Sequence, residues 1–265
     1  MKIFELLKVA QNLTGSSFVA KELMRFYTKL SFEEIFLKSN ENLDNENGYL
    51  ALAKRYSSGE PLEYITESCE FYGLSFYVKK GVLIPRFETE ILIQKALNLL
   101  SGINSPKICE IGFGSGIISI LLAKNIPTAS IIATDISKVA FEVASKNAKI
   151  HGVNVEFINT SLLDGISGKF DLIISNPPYI SNSYKLDKWV LNEPKEALFG
   201  GEVGDEILHK IIEISVNRTK FLTCEMGYDQ KTSIEQKLKE HGFESEFYKD
   251  LAGFYRGFVA RSKNV

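Results

Sequence analysis

The sequence has few of the residues that mark disulfide-rich and metal-binding proteins. Only three of its 265 residues are cysteine, and Cys69, Cys109 and Cys224 form no Cys-x-x-Cys pair. An odd and scattered set of cysteines is typical of reduced thiols in a cytoplasm, and it argues against a disulfide framework or a zinc site. We therefore expect core-filling thiols, a cytoplasmic protein and no metal.

Long apolar runs are missing as well. The apolar residues of the N-terminal segment are interrupted by Glu5 and Lys8, which predicts an amphipathic helix and not a signal peptide. No other stretch is long and apolar enough to span a membrane, so no membrane partner is expected.

An excess of positive charge is also absent. The 31 Lys and Arg residues stand against 33 Asp and Glu residues, which gives a net charge of −2. Residues 1–68 alone carry eight basic and ten acidic side chains. Because a protein that reads nucleic acid usually presents a basic face, this balance favours a protein substrate over a stable nucleic-acid partner. It leaves room for a local basic patch.

The length and the hydrophobic content allow either one large domain or two, and we take two as the working number. Apolar residues recur at three- and four-residue steps through residues 1–68, which predicts a small helical domain interrupted by a polar loop at residues 39–48. Residues 69–84 alternate aromatic and small side chains around Gly73 and Gly81. We expect short strands and turns there, forming a β-hairpin linker.

Residues 85–265 alternate between short apolar strands and segments with helical spacing. This alternation predicts an α/β domain whose mostly parallel, seven-stranded sheet is covered on both faces. The closing stretch offers two strands without a helix between them, so the last strand is expected to run antiparallel. The first five strands are "KICEI", "SIIAT", "VEFIN", "DLIIS" and "KFLTCEM".

Three glycines separate the first of these strands from a helix. Gly112, Gly114 and Gly116 allow a sharp turn and a close approach of the backbone to a ligand, at a helix end with free N–H groups. Alone, a Gly-x-Gly-x-Gly sequence fits a nucleotide-type site and a simple tight turn equally well. Asp135 ends the second strand, where its carboxylate can accept both ribose hydroxyls or can cap the following helix.

The spacing of this loop departs from that of dinucleotide sites. A dinucleotide fingerprint would place its third glycine at position 117, which is Ile117, so a ligand without a pyrophosphate is favoured. The loop, which opens at Glu110, resembles the adenosylmethionine loop of class I methyltransferases. That resemblance implies that Glu110 lies near the methionine end of the cofactor and helps to hold its ammonium group.

The fourth strand ends abruptly in Asn-Pro-Pro-Tyr, residues 176–179. Asn176 falls at the carboxyl edge of the sheet, where open α/β folds bind ligands, and the prolines fix the geometry of the backbone carbonyls. The side-chain carbonyl of Asn176 and the backbone carbonyl of Pro177 can accept both N–H bonds of a planar amine or carboxamide and aim its nitrogen at a methyl group. Tyr179 supplies a flat surface for stacking. A rigid turn after a strand is the alternative.

Longer segments resemble the PrmC/HemK family, the protein-(glutamine-N5) methyltransferases of peptide chain release factors. The resemblance runs in register from about Arg55 to Arg261, and its combination of a helical N-terminal domain with "LIPRFETE" and Asn-Pro-Pro-Tyr is highly specific. The other segments that carry it are "GEPLEYITESCEFYGLSFYVKKG", "ATDISKVAFEVASKNAKIHGV", "NEPKEALFGGEVGDEIL", "CEMGYDQ" and "KDLAGFYRGFVAR".

This resemblance implies a Rossmann-like class I methyltransferase domain at residues 85–265, which follows a helical substrate-recognition domain. The implied reaction moves a methyl group from S-adenosyl-L-methionine to the glutamine of the Gly-Gly-Gln loop of class-1 release factors, and S-adenosyl-L-homocysteine is the other product. A monomer is expected. The implied catalytic residues are Asn176, Pro177 and Tyr179, and the substrate contacts are Asn176, Pro177, Pro178, Tyr179 and Glu193. The implied cofactor contacts are Arg86, Glu88, Glu110, Gly112, Phe113, Gly114, Ser115, Gly116, Asp135, Ile136, Leu162 and Asn176.

The sequence departs from the family pattern at two places. Phe87 replaces the second proline of a Pro-Arg-Pro-Glu-Thr-Glu motif, while Arg86 and Glu88 remain and could contact ligand or form a helix cap and surface ion pairs. After the third strand, Ser161 and Leu162 stand where the family often has an acidic residue and an aromatic. Leu162 can pack on an adenine face or fill the core.

Two other functions share some of these features. Asn-Pro-Pro-Tyr also occurs in adenine-N6 DNA methyltransferases and in some RNA guanine methyltransferases, so the motif fixes the chemistry and not the substrate. A binding module that kept the cofactor fold without chemistry is a further alternative. An intact Asn176 beside the glycine loop argues against such a module.

Overall fold

The N-terminal part of the chain folds as helices because its apolar residues line one face at helical spacing. These faces meet in a core that includes Leu6, Leu23 and Tyr49. Ser16 caps the second helix by accepting a hydrogen bond from the Val19 N–H. In the computed structural model, which describes residues 1–263, the helices are α1 Ile3–Thr14, α2 Ser17–Thr28, α3 Phe32–Leu37, α4 Glu46–Ser57 and α5 Leu62–Thr66.

The predicted polar loop at residues 39–48 is shorter than expected, because α4 already begins at Glu46. The helical unit also takes in a piece of chain distant in sequence, Asp187–Asn192. Within it, Trp189 packs on Tyr56 with ring centroids 4.6 Å apart, and the Asn192 side chain donates a hydrogen bond to the Gly59 carbonyl at 2.7 Å.

A single hairpin follows, formed by β1 Ser68–Phe71 and β2 Leu74–Tyr77. Tyr72 and Gly73 both have positive φ, at 53° and 71°, as a two-residue turn between right-twisted strands requires. The strands expected around Gly81 are absent from the described structure, so that part of the expectation is wrong. The backbone there is bound elsewhere: the Ile84 N–H donates to the Glu193 carboxylate at 2.9 Å and Val82 packs in the core.

The larger unit is built on a seven-stranded sheet in the order β10-β11-β9-β6-β3-β4-β5. Its strands are β3 Lys107–Ile111, β4 Ser130–Asp135, β5 Glu156–Asn159, β6 Phe170–Ser175, β9 Thr219–Glu225, β10 Phe243–Lys249 and β11 Tyr255–Ser262. The β11 strand runs antiparallel to both of its neighbours, and the other pairings are parallel. The predicted mostly parallel sheet with an antiparallel last strand is confirmed.

Helices cover the two faces of this sheet. They are α6 Thr89–Leu100, α7 Ile117–Asn125, α8 Lys138–His151, α9 Glu206–Ser215 and α10 Lys231–Glu240. Side chains alternate along β6: Leu172 and Ile174 join one apolar core, and Ile173 joins the other. Of the helices in residues 1–263, none has the length and apolar character needed to cross a membrane.

The connection between β6 and α9 holds two short parallel strands, β7 Ile180–Ser181 and β8 Phe199–Gly201. Gly200 makes their close approach possible, since a Cβ there would lie 2.6 Å from the Pro178 carbonyl oxygen. The chain that follows Asn-Pro-Pro-Tyr is thereby paired with Phe199–Gly201.

Candidate active site

A cavity of about 580 Å³ opens at the carboxyl edge of the sheet. The strand register brings Ile111 level with Thr134 and with Ser175, so the chain leaves β3, β4 and β6 at one place. Most of the predicted site residues line this cavity: Arg86, Glu110, Gly112, Phe113, Gly114, Ser115, Asp135, Ile136, Leu162, Asn176, Pro177 and Pro178. Glu88, Gly116, Tyr179 and Glu193 lie outside its lining.

The glycine loop lies open to the cavity. Gly112 and Gly114 have φ values of 76° and 51°, and a Cβ added to either would meet no atom within 4 Å. Gly116 differs, because a Cβ there would lie 3.0 Å from the Ala144 side chain. The first two glycines therefore keep the cavity wall bare, and the third lets α7 pack against α8.

Glu110 is a buried carboxyl group at the end of β3, only 1% exposed. One of its oxygens accepts hydrogen bonds from the Ser119 hydroxyl and from the Ser119 N–H, the latter at 3.0 Å. The other oxygen, Oε1, is buried without a partner, and burial raises the pKa of this carboxyl to about 8. A cationic ligand group at the cavity wall would satisfy Oε1 and stabilise the ionised form.

Asp135 holds the loop and keeps lone pairs for a ligand. Its two oxygens accept hydrogen bonds from the Gly114 N–H at 2.9 Å and the Ser137 N–H at 2.8 Å, while burial raises its pKa. The side chain of Ser137, and not that of Asp135, caps α8. A carboxylate oxygen can accept two hydrogen bonds, so both oxygens remain able to receive ribose hydroxyls.

Leu162 lines the cavity and has a left-handed backbone conformation. Its φ is 49°, and its carbonyl accepts the Thr134 hydroxyl at 2.6 Å, which fixes the loop after β5. Ile136, which is 62% exposed, and the buried Phe113 line the same cavity. Apolar side chains of this kind suit a flat heterocycle.

Asn176 lines the cavity directly after β6. Its Nδ2 donates a hydrogen bond to Thr89 Oγ1 at 3.1 Å, which leaves the carbonyl Oδ1 as the acceptor available to the cavity. Tyr179 packs against the apolar core, where burial raises its pKa to about 12 although nearby Arg256 opposes the rise. Its carbonyl accepts from Gln230 at 2.8 Å, so Tyr179 anchors the turn from behind.

Glu193 and Arg86 form a partly buried ion pair. The Glu193 carboxylate also accepts the Ile84 N–H at 2.9 Å, so one side chain ties the segment before α6 to the segment before β8. Glu88 precedes α6 and makes no capping hydrogen bond. Of these three residues, only Arg86 lines the cavity.

Sequence reasoning gave no role to several residues that complete the site. Thr89 and Glu225 lie in the segments "RFETE" and "CEMGYDQ", whose local pattern indicated only a helix start and a strand end. Ile207 and Lys210 from α9 line the cavity as well. Within residues 1–263, no group of three or more His, Cys, Asp or Glu side chains is arranged to hold a metal ion.

The chain is similar to known methyltransferases. A family model described as the methyltransferase small domain matches residues 87–201. The release factor glutamine methyltransferase of Clostridium botulinum is 34% identical over 249 residues, which cover 88% of each chain. That of Aquifex aeolicus is 33% identical over 271 residues, or 98% of this chain and 96% of the relative. The chain belongs to the release factor glutamine methyltransferase family.

Membership confirms the predicted resemblance and the methyltransferase fold. The family consists of S-adenosylmethionine-dependent methyltransferases, and this chain is such an enzyme. The crystal structure of a ribosomal protein L11 methylase from Lactobacillus delbrueckii subsp. bulgaricus superposes with a TM-score of 0.52, at 24% identity over 70% of this chain and 84% of that chain. At that identity the likeness concerns the fold alone.

Proposed function

We propose that this protein transfers a methyl group from S-adenosyl-L-methionine to N5 of the glutamine in the Gly-Gly-Gln motif of class-1 peptide chain release factors. The observation that carries the proposal is the Asn176 amide, held by Thr89 at the cavity wall with its carbonyl available. The relatives named for glutamine methylation of release factors support the choice of substrate. The reaction would support translation termination in the cytoplasm.

The residues at the cavity fit the cofactor. Glu110 offers a buried, unpartnered oxygen for the ammonium group, Asp135 offers carboxylate lone pairs for the ribose, and the bare wall at Gly112 and Gly114 admits close approach. Leu162, Ile136 and Phe113 would hold the adenine. When bound, the cofactor supplies an electrophilic methyl group on a sulfonium and leaves as S-adenosyl-L-homocysteine.

The chain's own part in the transfer is to aim and activate a weak nucleophile. The lone pair of a carboxamide nitrogen is delocalised, and the carbonyls of Asn176 and Pro177 would accept its two N–H bonds. These acceptors orient the nitrogen and stabilise the positive charge that develops on it. Pro177 and Pro178 hold the carbonyls in place at no further conformational cost. Tyr179 would support this clamp from the core.

We assign the domains accordingly. Residues 1–68 would recognise the protein substrate, residues 69–84 would link the domains, and residues 85–265 would carry out the transfer. Glu193 and Arg86 would shape the entrance on the substrate side, because their ion pair ties together two of the segments around the cavity.

The test is methyl transfer with the purified protein, radiolabelled S-adenosyl-L-methionine and a class-1 release factor. A matched release factor has the Gly-Gly-Gln glutamine changed to alanine. Label on the unmodified factor alone is expected, and mass spectrometry should place one methyl group on that glutamine. Label on neither factor, or on both equally, would reject the proposed substrate.

The competing base-methyltransferase activity is measured in the same assay. DNA and RNA replace the release factor at low and at physiological salt, since nucleic-acid binding weakens steeply as salt rises. Methyl incorporation into nucleic acid that exceeds incorporation into the release factor would favour the competing function.

A further inference from the structure

The Asn176 side chain must point the right way round to serve as an acceptor. Its amide has nearly the same shape after a half turn, but that turn would present two N–H donors to a substrate NH₂ group that also donates. The contact that separates the two orientations is the hydrogen bond from Nδ2 to Thr89 Oγ1 at 3.1 Å.

Thr89 is the first residue of α6 and is only 1% exposed. Its hydroxyl carries one proton and lies close enough to the Glu225 carboxyl group to stabilise the ionised form of that group. When Glu225 is ionised, its carboxylate can only accept, so a hydrogen bond between the two groups requires the Thr89 proton to point to Glu225. The hydroxyl oxygen can then only accept from Asn176, which requires Nδ2 to face it.

Glu225 is placed for this contact by the sheet. The register pairs Ser175 with Cys224, so Asn176 and Glu225 are the next residues at the ends of neighbouring strands. Glu225 is 1% exposed, and its Oε1 has no hydrogen-bond partner.

The charges around Glu225 set the balance of its ionisation. The pKa of Glu225 is raised to about 7: burial raises it most and Glu88 adds to the rise, whereas the Thr89 hydroxyl, Arg256 and Arg86 lower it. Tyr179 and Tyr248 also face the carboxyl group. Burying a carboxyl group is energetically costly. Its position near a hydroxyl and an amide is explained if it sets the direction of the hydrogen bonds between them.

We propose that Thr89 and Glu225 are positioning residues that fix the Asn176 amide with Oδ1 toward the substrate. The proposal rests on the function proposed above. Neither residue needs to touch the substrate or the reacting atoms, and each acts through Asn176.

The test compares Thr89→Val, which keeps the shape but removes the hydroxyl, with Thr89→Ser, which keeps the hydroxyl. Thr89→Val should lower kcat for release-factor methylation about 10- to 100-fold, the usual range for loss of a supporting hydrogen bond, with cofactor affinity within about threefold of wild type. Thr89→Ser should restore most of the activity. A Thr89→Val kcat within twofold of wild type, or a Thr89→Ser enzyme as slow as Thr89→Val, would overturn the proposal.

Glu225→Gln tests whether Glu225 fixes the direction of the Thr89 hydroxyl proton. A glutamine can donate to the Thr89 hydroxyl, which frees the Thr89 proton to point at Asn176 and removes the preference between the amide orientations. We expect kcat to fall at least fivefold. The double variant Thr89→Val/Glu225→Gln should be no slower than Thr89→Val alone, since both changes act through one amide. Fully multiplicative losses would mean that Glu225 acts independently, against the proposal.

A measurement without substrate separates this inference from the proposed function. In protein labelled with ¹⁵N-asparagine, the Asn176 side-chain signal is assigned by its loss in Asn176→Asp. That signal should shift in Thr89→Val, remain near its wild-type position in Thr89→Ser, and move in Glu225→Gln. An Asn176 signal unchanged in Thr89→Val would reject the positioning role. If the signal shifts as expected but the wild-type enzyme does not methylate the release factor, the proposed substrate is rejected and the positioning role stands.

Discussion

Burying the Glu110 carboxyl group should lower the stability of the folded protein. It is a carboxyl group at the end of a central strand, with one oxygen satisfied by Ser119 and one left without a partner. A native protein keeps such a group where a ligand will use it. The stability of the ligand-free protein should therefore depend on the protonation of Glu110.

The first prediction concerns pH. Because burial raises the pKa of Glu110 from 4.5 to about 8, the folded chain holds this proton between those pH values and the unfolded chain releases it. The free energy of unfolding should thus fall as pH rises from about 5 to 8. Glu110→Gln removes this dependence, so its melting temperature should fall less than that of wild type over this range. Parallel pH curves for the two proteins would contradict the assignment.

The second prediction concerns Asn176. Asn176→Ala removes the side-chain acceptor for the substrate amide, and methylation should slow about 100-fold, the usual effect of losing one preorganised polar partner in the transition state. Calorimetric titration with the cofactor should give a dissociation constant within tenfold of wild type. A variant that methylates normally would show that Pro177 alone is sufficient.

At the scale of elements, the glycines of the loop between β3 and α7 have two different roles, one in the cavity wall and one in helix packing. Gly112 faces open space in the cavity, whereas Gly116 packs against Ala144 on α8. Substitution of Gly112 should therefore mainly weaken ligand binding, and substitution of Gly116 should mainly lower the stability of the protein.

The third prediction follows from that difference. Gly116→Ala places a Cβ 3.0 Å from the Ala144 side chain at a φ of 82°, and it should lower the free energy of unfolding by about 2 kcal/mol. Gly112→Ala is strained only by its φ and should cost about 1 kcal/mol, yet it should weaken cofactor binding more. Denaturant unfolding and titration on both variants give the comparison, and the reverse ranking would refute it.

The ion pair between Arg86 and Glu193 ties two segments together on another side of the cavity. Arg86→Ala leaves a buried carboxylate uncompensated, and we expect a loss of about 2 kcal/mol, below the range for fully buried pairs because Arg86 is partly exposed. Glu193→Gln alone should cost less, and the double variant should recover part of the loss. Additive effects in thermal unfolding would show that the pair is not coupled.

At the scale of the whole molecule, the chain forms two units of unequal size, and the segment Asp187–Asn192 belongs to the helical one. The only tryptophan, Trp189, lies in that segment and packs on Tyr56. Its fluorescence is thus a local probe of the smaller unit.

The fifth prediction uses this probe. The smaller unit buries a smaller fraction of its surface, so it should unfold at lower urea concentration than the sheet unit. Tryptophan fluorescence should then report a midpoint below that of far-ultraviolet circular dichroism. Coincident midpoints would show one cooperative unit. Tyr56→Ala, which removes the ring under Trp189, should lower the fluorescence midpoint further.

Local patterns in the sequence determined the architecture and the chemistry of this protein. Periods of two and of 3.6 residues predicted the strands and the helices α7 and α8, since side-chain burial imposes those periods. The glycine loop, Asp135 and Asn176 were each predicted at a strand end because parallel strands share one edge. The strands expected near Gly81 were wrong because the Ile84 N–H binds Glu193, 109 residues away, and no local pattern encodes that partner.

Only the tertiary structure decided which side chains support the site. Thr89 and Glu225 are far apart in the sequence, yet Thr89 bonds to Asn176 and interacts with Glu225, because the sheet register aligns the strand ends from which Asn176 and Glu225 come. The family resemblance implies that Glu193 contacts substrate, and in the structure Glu193 forms an ion pair with Arg86 and lies outside the cavity lining. Residue type and spacing specify what a strand end can do chemically, whereas the orientation of a buried polar group depends on hydrogen-bond partners that folding brings together.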